Sequence, residues 1–315
     1  MTLIELKYIV AASRHKHFAH AAEACFVAQP TLSVAIKKLE DELGVVIFER
    51  GGNEITVTPL GAKIVAQAER VLEETAALKE IASQNKDPLT GPLRLGIIYT
   101  IGPYLLPPLV KTMIENVPQM PLLLQENFTT RLLELLKQGE LDAAIIALPL
   151  PDHGLMMQAL YDEPFVVALP KHHAWANRRS IDAEELKSET MLLLGNGHCF
   201  RDQVLEVCPE MSRFSTDGDG IARTFEGSSL ETIRHMVASG IGVTVLPQAS
   251  VPDMKAKDGM LRYVPFSQPA PSRRVVIVWR KSFTRIAAIA SIRQAVLACG
   301  LHGISLLPDA QASEG

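Results

Sequence analysis

Excess charge of one sign is missing from this sequence: 31 Lys and Arg stand against 35 Asp and Glu, a formal net of −4. Residues 1–63 balance as well, with Lys7, Arg14, Lys16, Lys37, Lys38, Arg50 and Lys63 against Glu5, Glu23, Glu40, Asp41, Glu42, Glu49 and Glu54. Bulk electrostatics therefore give no case for a nucleic-acid partner; such a case must rest on motif and local placement of charge. Long apolar runs are missing too. No stretch approaches the roughly 18–20 uninterrupted apolar residues of a membrane helix, so no membrane partner is expected. Glu5 and Lys7 interrupt the apolar start, which lacks the basic-then-apolar order of a secretion signal. The expectation is a cytoplasmic protein. Cysteine is scarce, with 4 in 315 residues, and a reducing compartment argues against structural disulfides. Cys25 and Cys299 sit in alanine-rich helical sequence and read as small buried hydrophobes. They lie far from Cys199 and Cys208, so no metal site and no cofactor are expected.

What is present is a change of pattern along the chain. The first 88 residues are dense in helix formers: a helix with Leu3, Ile4, Tyr8, Ile9 and Ala12 on one face, a second over His17–Phe26, and a third over Gln29–Leu43 stopped by Gly44. Val46–Val57, with Gly51-Gly52 at its centre, reads as a two-stranded wing. Thr58-Pro59 then opens a long helix, where Ile64, Ala68, Val71, Thr75, Leu78 and Ala82 recur at steps of four and three. That is a heptad seam, which predicts pairing with a second subunit. Asp87–Pro92 ends it as a hinge.

After Pro92 strands alternate with helices: Leu93–Ile98, Tyr104–Asn116, Leu122–Glu126, Thr130–Gly139 and Leu141–Leu148. A second set follows at Phe165–Leu169, Met191–Leu194, Leu230–Ser239 and Gly242–Leu246, then Val275–Trp279 and Arg285–Ala298. This predicts an α/β fold with a parallel sheet covered on both faces, in two similar halves. The chain crosses between them near Asp162-Glu163 and returns near Ser267–Pro271.

Two helices joined by a tight turn, the second starting Gln29-Pro30-Thr31-Leu32-Ser33, form a helix-turn-helix. Recognition helices present their N-terminal side chains to base edges; Gln29, Thr31 and Ser33 are suited to that, while Lys37, Lys38 and Arg50 suit phosphates. Further along, the apolar strand Met191–Leu194 ends in a glycine loop, and a helix is predicted from about Cys199. A cysteine at a helix N-terminus beside His198 and near Arg201 sits where N–H groups and positive charge favour thiolate, the form that peroxide oxidises to sulfenic acid. Cys208 lies nine residues on. Helix of that length rises about 13–14 Å, whereas a disulfide needs Cα atoms about 4.4–6.8 Å apart. If the segment is helical when reduced, a bridge requires it to unwind.

The run Ala21-Ala22-Glu23, Gln29-Pro30-Thr31-Leu32-Ser33, Ile36-Lys37-Lys38-Leu39-Glu40, Leu43-Gly44, Phe48-Glu49-Arg50 and Thr58-Pro59-Leu60-Gly61 resembles the signature of the LysR-type transcriptional regulators. The resemblance extends through Gly227–Thr232, Val237–Gly242 and Leu246-Pro247. It implies a winged helix-turn-helix domain (1–58), a dimerisation linker helix and hinge (59–91), and a two-lobed regulatory domain like periplasmic binding proteins (92–300), with a tail at 301–315. Lobe I would take about 92–162 and 268–300, lobe II about 163–267. It also implies a homotetramer built as a dimer of dimers, bound to promoter DNA through residues that include Pro30, and acting on RNA polymerase.

The stretch Gly197-His198-Cys199, Arg201-Asp202-Gln203 and Cys208 is similar to the sensing loop of the family's peroxide sensors. That implies hydrogen peroxide as signal, Cys199 as peroxidatic and Cys208 as resolving. Thr100, Thr129, Gly197 and His198 would form the peroxide site, and Arg273, or its neighbour Arg274, would favour the thiolate. The expected role is regulation of antioxidant genes and not enzymatic turnover. Two other readings remain open: a family member that senses a metabolite between the lobes, and a thiol peroxidase fused to a DNA-binding domain. Residues 209–225 depart from the commoner family pattern, so no role is assigned there.

Overall fold

Thr2 opens the first helix, α1 (Leu3–His15), by a reciprocal cap: its hydroxyl accepts from Glu5 N at 3.2 Å, and the Glu5 carboxylate accepts from Thr2 N at 2.7 Å. The same local logic sets the rest of the N-terminal unit. The His17 ring caps α2 (Phe18–Ala24) by accepting from Ala19 N; α3 (Gln29–Leu43) carries Pro30 in its first turn and stops at Gly44, φ +66°. In this computed structural model, residues 52–53, 82–86, 151–153, 209–223, 228, 252–258 and 315 are not described. The chain divides into two units, Met1–Asn85 and Lys86–Gly315.

Within the first unit, β1 (Phe48–Gly51) and β2 (Glu54–Val57) pair antiparallel as the wing; Gly52 of its expected turn lies outside the described residues. The buried Glu40 carboxylate of α3 accepts from Ile47 N and Phe48 N, tying the wing to the third helix. Thr58 starts α4 (Pro59–Ile81): its hydroxyl accepts from Gly61 N and donates to Val46 O, both at 2.8 Å. Ile9, Leu32, Ile36 and Leu39 form the core, each worth about 1.5–3 kcal/mol on burial.

The heptad seam of α4 is divided by this packing. Ala68 is buried in the unit's own core, and Ile64 and Val71 pack against it, while Leu78 remains 67% exposed. Ala82 lies outside the described residues. The apolar period thus serves α1 first and leaves only the far end of the seam open.

The second unit has two separate hydrophobic clusters, one drawn from 93–161 and 275–296, the other from 165–266. In the first, β3 (Leu93–Ile98) pairs in parallel with β4 (Leu122–Asn127) and β5 (Ala143–Ala147), with α5 (Gly102–Asn116) and α6 (Thr129–Lys137) as the intervening helices. The expected parallel sheet is found for these three strands and not beyond them. The long strand β6 (Leu155–Pro170) runs out of this cluster into the other, and β11 (Ser272–Arg280) returns beside it, so the two pair antiparallel. A single unbroken strand therefore makes the crossing at Asp162-Glu163. The reason is geometric: strands leaving and re-entering a lobe side by side run in opposite directions.

The second cluster holds β7 (Met191–Leu194), α7 (Cys199–Val207), β8 (Thr224–Gly227), α8 (Leu230–Ala238), β9 (Thr244–Pro247) and β10 (Leu261–Pro265). β9 and β10 pair with the distal half of β6, and β7 pairs in parallel with β8. After α9 (Ile286–Ala298), the tail adds β12 (Ser305–Leu306) and β13 (Ser313–Glu314) to the free edge of the proximal half of β6. At the entry to this unit, the Arg285 guanidinium donates to the carbonyls of Pro88, Thr90, Gly91 and Pro92 at 2.9–3.3 Å. One side chain braces the whole hinge segment.

Candidate redox site and nucleic-acid interface

Strand register brings the two threonines together. β3 and β4 end in step, Ile98 opposite Asn127, so Thr100 and Thr129 each follow two residues beyond a paired position, at the carboxyl ends of neighbouring parallel strands. Opposite them stands the start of α7, with His198 as N-cap and Cys199 as first helical residue. Ile98, Tyr99, Thr100, Asn127, Phe128, Thr129, Gly197, His198 and Cys199 enclose a cavity of about 10 Å³. That is about the space one water-sized molecule needs.

The polar groups of the cavity differ in how they are held. Thr129 is buried, and its hydroxyl has no hydrogen-bond partner; α6 starts without a side-chain cap, so Thr129 is not acting as one. Thr100 Oγ1 accepts from Arg273 Nη1 at 2.8 Å, and Thr100 O accepts from Arg273 Nη2 at 3.2 Å. The occupied lone pair leaves the Thr100 hydroxyl proton to donate elsewhere. The His198 ring meets Phe128 and Tyr99 edge to face, with centroids 4.9 and 5.9 Å away. Gly197 has φ +96°, and a Cβ there would stand 3.3 Å from the Phe128 ring. Only glycine fits without strain.

Of the adjacent arginines, Arg273 is the buried one. It pairs with the equally buried Glu163 at 2.7 Å and lies over the Phe200 ring, whereas Arg274 is half-exposed and pairs with Asp162. The Arg273 guanidinium is bonded to Glu163 and to Thr100. Arg201, expected near the thiol, donates to Leu194 O at the end of β7. Sequence reasoning missed Glu163, Phe128, Tyr99 and Gln203. The last donates to Leu148 O at 2.7 Å, linking α7 to the loop after β5. A charged residue inside the apolar strand Leu155–Pro170 was the available signal for Glu163.

The two cysteines stand at opposite ends of α7, both as free thiols. Cys199 packs against the first cluster; Cys208 belongs to the second, its Sγ 3.3 Å from Ala183 O. Burial pushes the Cys208 thiol up to about 11, so near neutral pH it keeps its proton. The intact helix separates the two by about 13–14 Å along its axis.

At the other site, Gln29, Pro30, Thr31 and Lys37 are exposed on α3 and Ser33 is half-buried. Gln29 Nε2 donates to Ser33 Oγ at 3.3 Å. Lys37 pairs with Asp41 on the surface, an interaction weak enough to yield to phosphate. Lys38, also exposed, bonds the buried carboxylate of Glu5 at 3.2 Å. Arg50 stands in β1 opposite Ile55. Among the described residues there is no group of three or more metal-ligating side chains, and no helix is long and apolar enough to cross a membrane.

Comparison with known proteins identifies the family. Residues 3–62 match the bacterial regulatory helix-turn-helix protein of the lysR family, and residues 86–299 match the LysR substrate binding domain. The DNA-binding transcriptional dual regulator OxyR of Escherichia coli K12 is 41% identical over 280 residues, covering 89% of this chain and 90% of that protein. The hydrogen peroxide-inducible genes activator of Pectobacterium carotovorum matches equally well, at 41% over the same length. Full-length OxyR C199D from Pseudomonas aeruginosa superposes with a TM-score of 0.66 at 50% identity, covering 96% of this chain and 99% of that one. An H2O2-bound OxyR mutant from Corynebacterium glutamicum gives 0.61 at 32% identity, covering 95% and 92%. The chain belongs to the LysR family of bacterial regulators, within its OxyR group of hydrogen peroxide-inducible genes activators.

Proposed function

We propose that this chain is a peroxide-sensing, DNA-binding transcriptional regulator of antioxidant genes, switched by Cys199. Peroxide enters the small cavity and is held by the hydroxyls of Thr100 and Thr129. The Cys199 thiolate attacks one peroxide oxygen; the O–O bond breaks, sulfenic acid forms at Cys199, and the other oxygen leaves, with a proton, as water. Cys208 then attacks the sulfenic sulfur, an S–S bond forms, and the hydroxyl departs as a second water. A cellular thiol reductant restores both thiols, so the chemistry is one turn per signal and not enzymatic.

The observation that carries this reading is the cavity itself. It is far too small for a metabolite, and it brings a cysteine beside a buried hydroxyl that has no partner. In this reading residues 1–58 bind promoter DNA through Gln29, Pro30, Thr31, Ser33, Lys37 and Arg50. Residues 59–91 pair subunits toward a homotetramer, and 92–300 sense the signal in the cytoplasm. Melting of α7 changes the placement of the DNA-binding domains and thereby contact with RNA polymerase. The test is promoter output in cells carrying Cys199→Ser: expected is loss of the peroxide response with DNA binding retained, and an unaltered response removes the proposal.

One observation favours the metabolite reading. A larger cavity of about 630 Å³ lies between the lobes, bordered by Leu148, Met157, Phe165, Gln203 and Arg274, and the buried Gln203 Oε1 has no partner. A small molecule that shifts DNA affinity equally in wild type and Cys199→Ser supports that alternative.

A further inference from the structure

Among the described residues, only two that are not glycine have positive φ, Lys16 at +49° and Phe26 at +55°. Phe26 stands at the C-terminus of α2, in the turn before α3. Its N–H donates to Glu23 O at 3.0 Å, and Val27 N–H donates to Ala22 O at 3.0 Å. This is the helix-ending motif whose left-handed position is usually filled by glycine or asparagine. The chain uses glycine after other helices, at Gly44 behind α3 and Gly240 behind α8. At Phe26 it carries the left-handed penalty of a bulky side chain.

The ring itself gains no packing in return. Phe26 is 96% exposed, while its neighbour Val27 packs into the core. A ring that is both strained and in water gains nothing from folding, and strain of this kind is retained where a binding partner uses it. The position names the partner. Ala28, Gln29, Pro30 and Thr31 are all exposed, so the ring extends the edge of the helix-turn-helix that meets duplex DNA. In the major groove the apolar group that an aromatic side chain can read is the thymine C5-methyl.

We infer that Phe26 is a specificity-determining residue that packs on a thymine methyl at the end of the contacted half-site. The inference rests on the proposed DNA-binding role of α3. It adds a base-reading contact outside the polar set at the helix start, one that no phosphate and no hydrogen bond supplies.

The experiment uses the full-length chain and a duplex selected from random DNA by binding to it. Each thymine is replaced in turn by deoxyuridine, and wild type is compared with Phe26→Asn, which suits the left-handed backbone. Expected for wild type is one position where uracil weakens binding about 5- to 10-fold. Phe26→Asn is expected to bind the thymine duplex weaker by about the same factor, to be insensitive to uracil there, and to keep the same salt dependence, since no phosphate contact is lost. Its melting temperature is expected to be equal or higher. Equal DNA affinity of the two proteins overturns the inference, as does a loss in Phe26→Asn that is the same on thymine and uracil duplexes. Failure of wild type to bind any duplex overturns the DNA-binding reading itself, a separate result.

Discussion

The two ends of α7 carry the same side chain in opposite settings. At the N-terminus Cys199 borders a small cavity with a partnerless hydroxyl, beside Thr100, Thr129 and His198. At the C-terminus Cys208 is buried in the core of the other lobe with its thiol pushed up to about 11. On the proposed function, one cysteine meets the oxidant and the other is withheld until the helix between them melts. The two thiols thus differ in packing and not in residue type.

The largest effect that sharpens this contrast comes from removing each thiol. Cys208→Ser is expected to accumulate sulfenic acid at Cys199, seen as one added oxygen by mass spectrometry or as a dimedone adduct, with no disulfide. Cys199→Ser is expected to leave Cys208 unoxidised at the same peroxide dose. Equal oxidation of both single variants breaks the distinction.

Next comes the buried pair behind Thr100. Arg273→Met leaves Glu163 charged and unpaired, with both side chains 1% exposed, so urea unfolding is expected to show a loss of about 3–5 kcal/mol. Peroxide oxidation is expected to slow as well, because Thr100 loses the donor that fixes its hydroxyl.

Thr129→Val separates stability from reactivity. The hydroxyl has no partner in the folded chain, so its removal is expected to be neutral or stabilising by up to about 1 kcal/mol. Stopped-flow oxidation of Cys199 is nonetheless expected to slow roughly 10- to 100-fold, if the hydroxyl donates to the departing oxygen.

The smallest effect is on pH dependence. Burial raises Cys208 from 9.0 to about 11, so between these values the folded chain holds a proton that the unfolded chain releases. The resulting stability is fully present below about 9 and is lost as pH rises through about 11. In a Cys199→Ser background, alkylation of Cys208 is expected to rise only toward the upper value, and moderate urea should shift the midpoint down toward 9.

The local features were legible in the sequence. Thr58 as a cap, Gly44 as a stop, α7 beginning at Cys199, and the threonines at strand ends all follow from nearest neighbours along the chain. Distant pairings were not. Arg273 meets Glu163 across 110 positions, Lys38 pairs with Glu5, and the tail strands add to β6. No period or spacing encodes such contacts. The seam of α4 shows the same limit: its heptad period is real, yet much of it is used within its own unit.

Hydrogen exchange across residues 199–208 before and after peroxide tests the mechanical claim most directly. In the reduced chain the α7 amides should be protected; once the disulfide has formed, that protection should be lost. A bridged chain whose α7 amides exchange as slowly as the reduced one would contradict a switch driven by unwinding.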